Sequence, residues 1–236
     1  MVTNYSDDII RWTVAPELPG ALEMGRELKG RGILPSIGHS NAIYEEVQKA
    51  FENGYTHITH LYSGMSMVRR INAYRYAGVV ESAFLIDEMT VEIIADGKHL
   101  PQSLLQLIYK IKGPDSICLI TDSMRAAGMP DGEYILGSLE GGQKAIVEDG
   151  VAKLPDRSAF AGSVATTDRL VRTMFKIAGV PLLDAVKMMT ATPARIIGAD
   201  DRKGTLAPGK DADVVIFDED INIKEVIVKG SLRYKN

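Results

Sequence analysis

Two histidines, His39 and His60, each follow a short apolar run. The interval between them accommodates one helix, one loop and one strand, so both imidazoles are predicted at the carboxyl edge of neighbouring parallel strands, about 5 Å apart. Imidazole nitrogens bind zinc at about 2.0–2.1 Å, so such a pair suits a shared metal ion. The alternative is that a histidine in a Gly-His-Ser turn caps a helix or satisfies a buried carbonyl group.

Three other titratable residues fall near the same predicted edge. Asp122 ends the apolar run "CLITD" and could be a helix N-cap, a general base or a third metal ligand. His99 follows a strand near Asp96, which favours substrate contact over a solvated loop position. His57 lies at an odd spacing from His60 and so points to the opposite face of a strand, which favours a structural role, or a role in support of the metal ligands, over metal binding itself.

An arginine cluster is a candidate anion site. Arg69, Arg70 and Arg75 are interleaved with tyrosines in "MVRRINAYRYAG". Such clusters usually form a solvated surface, but the planar guanidinium group also suits bidentate binding of phosphate or carboxylate.

The elements that must position these residues alternate between strand and helix. Strands are predicted at 12–16, 33–38, 56–60, 90–96 and 116–122, with helical patterns between them. This alternation is typical of parallel βα units, whose chemistry lies at the carboxyl ends of the strands. A closed barrel needs eight strands. The sequence therefore predicts either an open sheet or the rear part of a (β/α)8 barrel.

The pattern changes after the fifth strand. The predicted elements are hairpins at 133–155, helices at 163–178 and 181–198, and strands at 213–218 and 222–229. We therefore predict a partial barrel over 1–200, with a β-hairpin insertion near 133–155. Residues 201–236 are predicted to form strands of a small β-sandwich.

Composition indicates a soluble globular protein. The chain has 236 residues, 45% hydrophobic and 25% charged, with a net charge of −4. This charge argues against a nucleic-acid or membrane-surface role, and no apolar run is long enough to span a bilayer. The N-terminus lacks the pattern of a signal peptide. The single cysteine, Cys118, excludes an internal disulfide and favours a reducing cytoplasmic compartment.

Several motifs occur in one consistent order over nearly the whole chain. They are "GHS", "THITHLYSGM", "IIADGKH", "LITDSMRAAGMPDGEYILG", "FAGSVATTDRLVR", "ATPARIIG" and "KGTLAPGKDADVVIFD". Together they resemble the N-acetylglucosamine-6-phosphate deacetylase family of the amidohydrolase superfamily. The last motif is shared by many amidohydrolases, whereas the aspartate-containing fourth motif and the order of the first three are more specific.

The resemblance implies a TIM-type (β/α)8 barrel with a small β-sandwich, and a divalent metal, usually zinc, with iron, manganese or cobalt as alternatives. It implies that His39 and His60 are metal ligands and that Asp122 is the catalytic carboxylate. It places His99 near the reacting amide, as a second catalytic residue. The implied reaction is hydrolysis of the acetamide of N-acetylglucosamine 6-phosphate.

The resemblance also implies a substrate-binding set and a homodimer. The expected substrate-binding residues are Ser63, Gly64, Arg75, Asp96, Gly97, Phe160, Ala161 and Gly162. The stretch 160–162 would contact the sugar, and Arg75 would reach the phosphate bound by a neighbouring subunit, with Arg70 as the alternative.

Two departures from the family pattern bear on activity. Ser63-Gly64 stands where the family commonly has Asn-Ala, and the His-x-Glu-Gly-Pro motif that supplies an acidic metal ligand does not occur. We therefore expect this chain to bind metal weakly and to deacetylate slowly or not at all. The rival interpretations are another amidohydrolase, acting on N-acyl or cyclic amides, and an inactive scaffold that needs a partner chain.

Overall fold

A computed structural model describes residues 6–236. Its main feature is a five-stranded parallel sheet in which the strands follow one another in chain order. These strands are β1 (Arg11–Val14), β2 (Leu34–Ile37), β3 (His57–Ile58), β6 (Thr90–Ile93) and β7 (Ile117–Leu119). The intervening helices are α1 (Ala21–Gly30), α2 (Tyr44–Glu52), α3 (Val79–Leu85) and α4 (Gln102–Lys112). The expected number of barrel strands and their parallel arrangement are confirmed.

The apolar runs predicted as strands form the centre of the core. Ile37, Ile58, Val91 and Ile117 are fully buried on four adjacent strands. The helices cover the sheet with their apolar stripes, as parallel sheets require because both of their faces are buried. On α4, for example, Leu105 and Ile108 are buried, whereas the rest of the helix is partly or fully exposed.

The rest of the chain forms small antiparallel sheets and a second group of helices. The remaining strands are β4 (Arg69–Ile71), β5 (Tyr74–Tyr76), β8 (Gly132–Leu136), β9 (Gln143–Glu148), β10 (Val151–Lys153), β11 (Val214–Phe217), β12 (Ile223–Val228) and β13 (Ser231–Lys235). The remaining helices are α5 (Thr167–Arg172), which continues into a π-helical turn (Thr173–Ile177), α6 (Leu182–Met189) and α7 (Ala191–Ile196). The chain thus combines a partial barrel with a hairpin sheet and a C-terminal sheet.

Several predicted elements are shorter than expected, for a common reason. The run predicted as a strand at 56–60 is extended only at His57 and Ile58, and the run at 90–96 ends at Ile93. In both cases the residues that follow leave the extended conformation to form the loops at the carboxyl edge. The predicted helix at 163–178 begins at Thr167 because Ser163 instead pairs with Ser123 in a parallel bridge.

The predicted division at residue 200 stays a prediction, although the elements on each side of it have the expected types. The C-terminal sheet contains one strand more than the sequence pattern indicated, β13, which pairs antiparallel with β12. None of the helices within residues 6–236 is long and apolar enough to cross a membrane.

Candidate active site

Three of the residues singled out from the sequence share an unusual backbone conformation at the carboxyl ends of strands. His39, His60 and Asp122 have φ angles of 49°, 31° and 47°. Residues other than glycine seldom adopt positive φ, and each such residue costs on the order of 1–3 kcal/mol unless the surrounding structure holds it. Strain of this kind clusters at functional sites. The chain here turns sharply just after β2, β3 and β7, which brings their terminal side chains to one edge.

The two histidines meet at this edge as the sequence predicted. His39 Nε2 lies 3.0 Å from His60 Nε2, and the rings are perpendicular with centroids 4.7 Å apart. Two nitrogens bound to one tetrahedral zinc lie about 3.3 Å apart, so only a small adjustment would let both bind one ion. The geometry therefore fits a shared divalent metal.

The surroundings of His60 favour the neutral form that a metal ligand requires. Burial lowers the pKa of His60, and the neighbouring His39 lowers it further, against the opposing effects of nearby main-chain carbonyl groups and of the Asp122 charge. The Nδ1 atom of His60 is buried without a hydrogen-bond partner. A neutral ring that presents its Nε2 lone pair to His39 or to a metal carries its proton on this unpartnered Nδ1.

This site has fewer protein ligands than a catalytic zinc site normally has. Within residues 6–236, no group of three His, Cys, Asp or Glu side chains is arranged to hold a metal ion. Catalytic zinc normally has three protein ligands and one open position. The described residues therefore supply a two-imidazole set, and no acidic ligand completes it.

A cavity of about 670 Å³ opens over the two imidazoles. Eight residues expected from the sequence line it: His39, His60, Ser63, Gly64, His99, Asp122, Phe160 and Gly162. Asp122 and His99 therefore share the cavity with the histidine pair. Four other expected residues do not line it, namely Arg75, Asp96, Gly97 and Ala161. Arg75 lies on the exposed β4–β5 hairpin, opposite Arg70.

Asp96 acts on the cavity through His99. Its Oδ1 accepts hydrogen bonds from the backbone N–H groups of Lys98 and His99, and its Oδ2 lies 2.8 Å from His99 Nδ1. Burial raises the pKa of Asp96, but the hydrogen bonds from His99 and Lys98 outweigh that effect and lower it below its ordinary value. The ionised carboxylate thus accepts a hydrogen bond from the Nδ1–H of His99 and orients the ring, which also lies 4.6 Å from the Phe160 ring.

Sequence reasoning missed two cations of the cavity wall. Lys153 and Arg157 line the cavity. Lys153 Nζ lies 3.1 Å from Glu148 Oε1, and Arg157 Nε lies 2.9 Å from the same oxygen. Their sequence signal is weak because charged residues in a surface hairpin are usually solvated. Their closeness in sequence to the "FAG" stretch is the one clue that pointed to the cavity.

His57 is buried away from the cavity wall, in agreement with a structural role. Its Nδ1 lies 2.6 Å from Thr90 Oγ1 and its Nε2 lies 3.3 Å from Glu92 Oε1. Burial, followed by the nearby Arg11 charge, lowers the pKa of His57 to about 3. The ring is therefore neutral at ordinary pH. No pattern in the sequence indicates that Arg11 and Glu92 join this group.

Comparison with known proteins decides the family. The model of the amidohydrolase family matches residues 3–233. The chain belongs to the amidohydrolase family. This amidohydrolase is 39% identical over 221 residues to an N-acetylglucosamine-6-phosphate deacetylase from Lysinibacillus sphaericus, a match covering 94% of this chain and 54% of that protein. It is 34% identical over 219 residues to an N-acetylgalactosamine-6-phosphate deacetylase from Escherichia coli O157:H7, covering 93% and 55%.

Solved structures agree with the fold of this amidohydrolase. The crystal structure of N-acetylglucosamine-6-phosphate deacetylase from Pasteurella multocida superposes with a TM-score of 0.90 at 31% identity, covering 100% of this chain and 59% of that chain. The chain spans about half the length of the curated relatives it matches. The resemblance and the expected partial barrel with its C-terminal sheet segment are therefore confirmed.

Proposed function

We propose that this amidohydrolase contributes the rear half of an active site that hydrolyses the acetamide of N-acetylglucosamine 6-phosphate, with acetate and glucosamine 6-phosphate as products. The observation that carries this proposal is the 3.0 Å approach of His39 Nε2 to His60 Nε2 beneath a cavity that Asp122 also lines. The activities for which its relatives are named support the same class of substrate.

His39 and His60 are the residues that would hold a divalent metal, for which we propose zinc, with iron, manganese and cobalt as alternatives. A metal of this kind polarises a carbonyl oxygen and lowers the pKa of water towards about 7. The neutral state of His60, which its burial favours, leaves a nitrogen lone pair free for this purpose.

Asp122 is proposed as the general base and acid. Its carboxylate would take a proton from the water whose oxygen adds to the acetyl carbon. It would then give that proton to the sugar nitrogen as the C–N bond breaks, because an amide nitrogen leaves poorly as an anion. The left-handed backbone at Asp122 and its place in the cavity support this assignment.

His99 is proposed to contact the reacting amide, with Asp96 as its positioning residue. Because Asp96 holds the Nδ1 proton, neutral His99 offers Nε2 only as an acceptor, for a hydroxyl or amide N–H of the substrate. Donation to a developing oxyanion requires the imidazolium form, in which both ring nitrogens carry protons. The pH profile of turnover distinguishes these two roles.

The remaining substrate contacts are proposed as follows. Ser63, Gly64, Phe160 and Gly162 line the cavity and would contact the sugar. Gly97 and Ala161 do not line the cavity, but they lie close in the chain to His99, Phe160 and Gly162, which do. We propose that they contribute to substrate binding by shaping the backbone of these neighbours. We also propose a cytoplasmic homodimer, in which Arg75 on the exposed hairpin serves the phosphate of the other copy.

The test combines metal content with turnover. Zinc is measured after dialysis, and acetate release is followed with the 6-phosphates of N-acetylglucosamine and N-acetylgalactosamine, the unphosphorylated sugars and N-acyl amino acids. We expect the 236-residue chain to lose zinc on dialysis and to turn over slowly, because two imidazoles make an incomplete site. One tightly held zinc per chain with rapid turnover contradicts this expectation.

Substitution of the carboxylate separates an enzyme from a scaffold. Asp122→Asn should abolish acetate release and leave zinc binding by the two histidines in place. Asp201→Asn, at an exposed aspartate outside the cavity, is the matched control and should change neither property. Equal acetate release by both variants would refute the role of Asp122. Faster turnover of an N-acyl amino acid than of either sugar phosphate would favour a different amidohydrolase activity.

A further inference from the structure

A buried carboxylate lies directly behind the histidine pair. Glu92 is on β6, and its side chain is only 7% exposed. Its Oε2 accepts a long hydrogen bond of 3.4 Å from the backbone N–H of His60, and its carbonyl oxygen accepts one of 2.8 Å from the N–H of Leu61. Glu92 therefore holds the main chain on both sides of the His60 carbonyl carbon.

This hold matters because His60 is strained. Its φ of 31° lies in the left-handed region, which a residue other than glycine adopts only when surrounding contacts enforce it. The direction in which the imidazole leaves the backbone, and hence its 3.0 Å approach to His39, depends on this conformation. A group that fixes the His60 N–H therefore also fixes the placement of the ring.

The other carboxylate oxygen of Glu92, Oε1, contacts two further side chains. Oε1 forms an ion pair with Arg11 and lies 3.3 Å from His57 Nε2. Thr90 Oγ1 lies 2.6 Å from His57 Nδ1 and 3.3 Å from the Thr56 carbonyl oxygen, and its single proton can go to either. Donation along the shorter contact leaves the His57 proton on Nε2, facing the Glu92 carboxylate. The carboxylate thus accepts from three donors, and none of the three uses an atom that a metal would need.

The ion pair also joins distant parts of the sheet. Arg11 is on β1 and Glu92 is on β6, and two strands, β2 and β3, lie between them in the sheet. The contact therefore crosses the sheet rather than following one pair of neighbouring strands. It connects β6, which precedes His99, to β1, and it lies close to the loop that carries His60.

We propose that Glu92, held by Arg11 and His57, is a positioning residue that sets the main chain of His60 and so brings its Nε2 to the metal position beside His39. This proposal rests on the metal site proposed above. Partners of metal-binding histidines that lie behind the ligands typically change metal affinity about 10–100-fold when they are altered.

A matched pair of double variants, both lacking the Arg11–Glu92 ion pair, tests the proposal. In Arg11→Met with Glu92→Gln, the amide oxygen can still accept from the His60 N–H, while the amide N–H₂ faces His57, whose tautomer can change. In Arg11→Met with Glu92→Leu, a side chain of similar size offers no acceptor. Both double variants remove the buried ion pair completely, so neither leaves an unpaired buried charge.

The measurement is zinc affinity by titration, together with the ¹⁵N shifts of the His39 and His60 rings. We expect the Leu-containing variant to bind zinc about 10–100-fold more weakly than the Gln-containing variant. The single variant Glu92→Gln should also lose affinity, because the Arg11 charge draws the amide oxygen to itself and turns the N–H₂ towards the His60 N–H. Adding Arg11→Met should then restore affinity, a rescue that a merely structural role does not predict.

Controls separate the possible failures. Glu133→Gln, at an exposed glutamate, should leave zinc affinity unchanged. Circular dichroism verifies that each variant is folded at the temperature of the titration. Equal zinc affinity and equal ring shifts in the two double variants would overturn the role of Glu92 while the metal site stands. Failure of zinc to shift the His39 and His60 signals in the unsubstituted chain would instead refute the metal site, and the positioning role with it.

Discussion

Burial of His57 as a neutral ring should make this fold sensitive to mild acid. Its side chain is 1% exposed, and its pKa is lowered to about 3 by burial and by the charge of Arg11. The partner that could favour protonation, the Glu92 carboxylate, is already paired with Arg11. The unfolded chain, in contrast, binds a proton at a histidine with a pKa of about 6.5.

The sign and size of the change in unfolding free energy with pH follow from this difference between the folded and unfolded pKa of His57. Because the folded pKa is the lower one, the stabilisation is fully present above about pH 6.5 and is lost as the pH falls towards the folded pKa. Below pH 6.5 each unit costs about 1.4 kcal/mol, so lowering the pH from 7.5 to 5.0 should remove about 2 kcal/mol. At pH 5.0 the folded ring is still neutral, so this loss depends on the unfolded pKa alone.

Urea unfolding followed by circular dichroism at pH 7.5 and 5.0 measures this loss. The variant His57→Gln, which keeps a donor towards Glu92 but does not titrate, should lose about 2 kcal/mol less than the unsubstituted chain over the same interval. His60, whose pKa is also lowered, acts in the same direction in both proteins and cancels in the comparison. The same pH dependence in both, or a His57 ring signal that titrates near pH 6.5, would refute the reasoning.

Three further substitutions have expected outcomes. Asp96→Asn should move the His99 proton from Nδ1 to Nε2, visible in ¹⁵N ring shifts, and should cost about 1.5–3 kcal/mol of unfolding free energy; unchanged shifts would contradict the contact. Gly64→Ala places a Cβ 2.9 Å from His39 Nδ1 at a φ of 59°, so it should cost about 1–2 kcal/mol in urea unfolding and weaken zinc binding. Tyr55→Phe removes the 2.7 Å hydrogen bond that the Tyr55 hydroxyl donates to the Ala21 carbonyl in the first turn of α1 and should cost about 0.5–1.5 kcal/mol, whereas unchanged stability would contradict a stabilising role for this bond.

The fold of the partial barrel could be predicted from local patterns. Apolar runs such as "SICLITD" indicate strands buried on both faces, and the helical period between them indicates crossover helices. The predicted strands extend one to three residues beyond the observed strand ends, because polar residues at the carboxyl edge belong to loops even where their neighbours have high strand propensity. Ser163 is an example in which pairing with a distant segment overrode a helical pattern.

Residue type and spacing are local properties of the chain, and they suffice to predict that His39, His60 and Asp122 follow strands of one sheet. The left-handed backbones of these residues, and the contact of Arg11 with Glu92 across two intervening strands, arise only in the folded chain. Such contacts depend on how the sheet curves and on which buried groups lack partners. Neither property is encoded in the spacing of residues, since a buried charge finds its partner in space rather than along the chain.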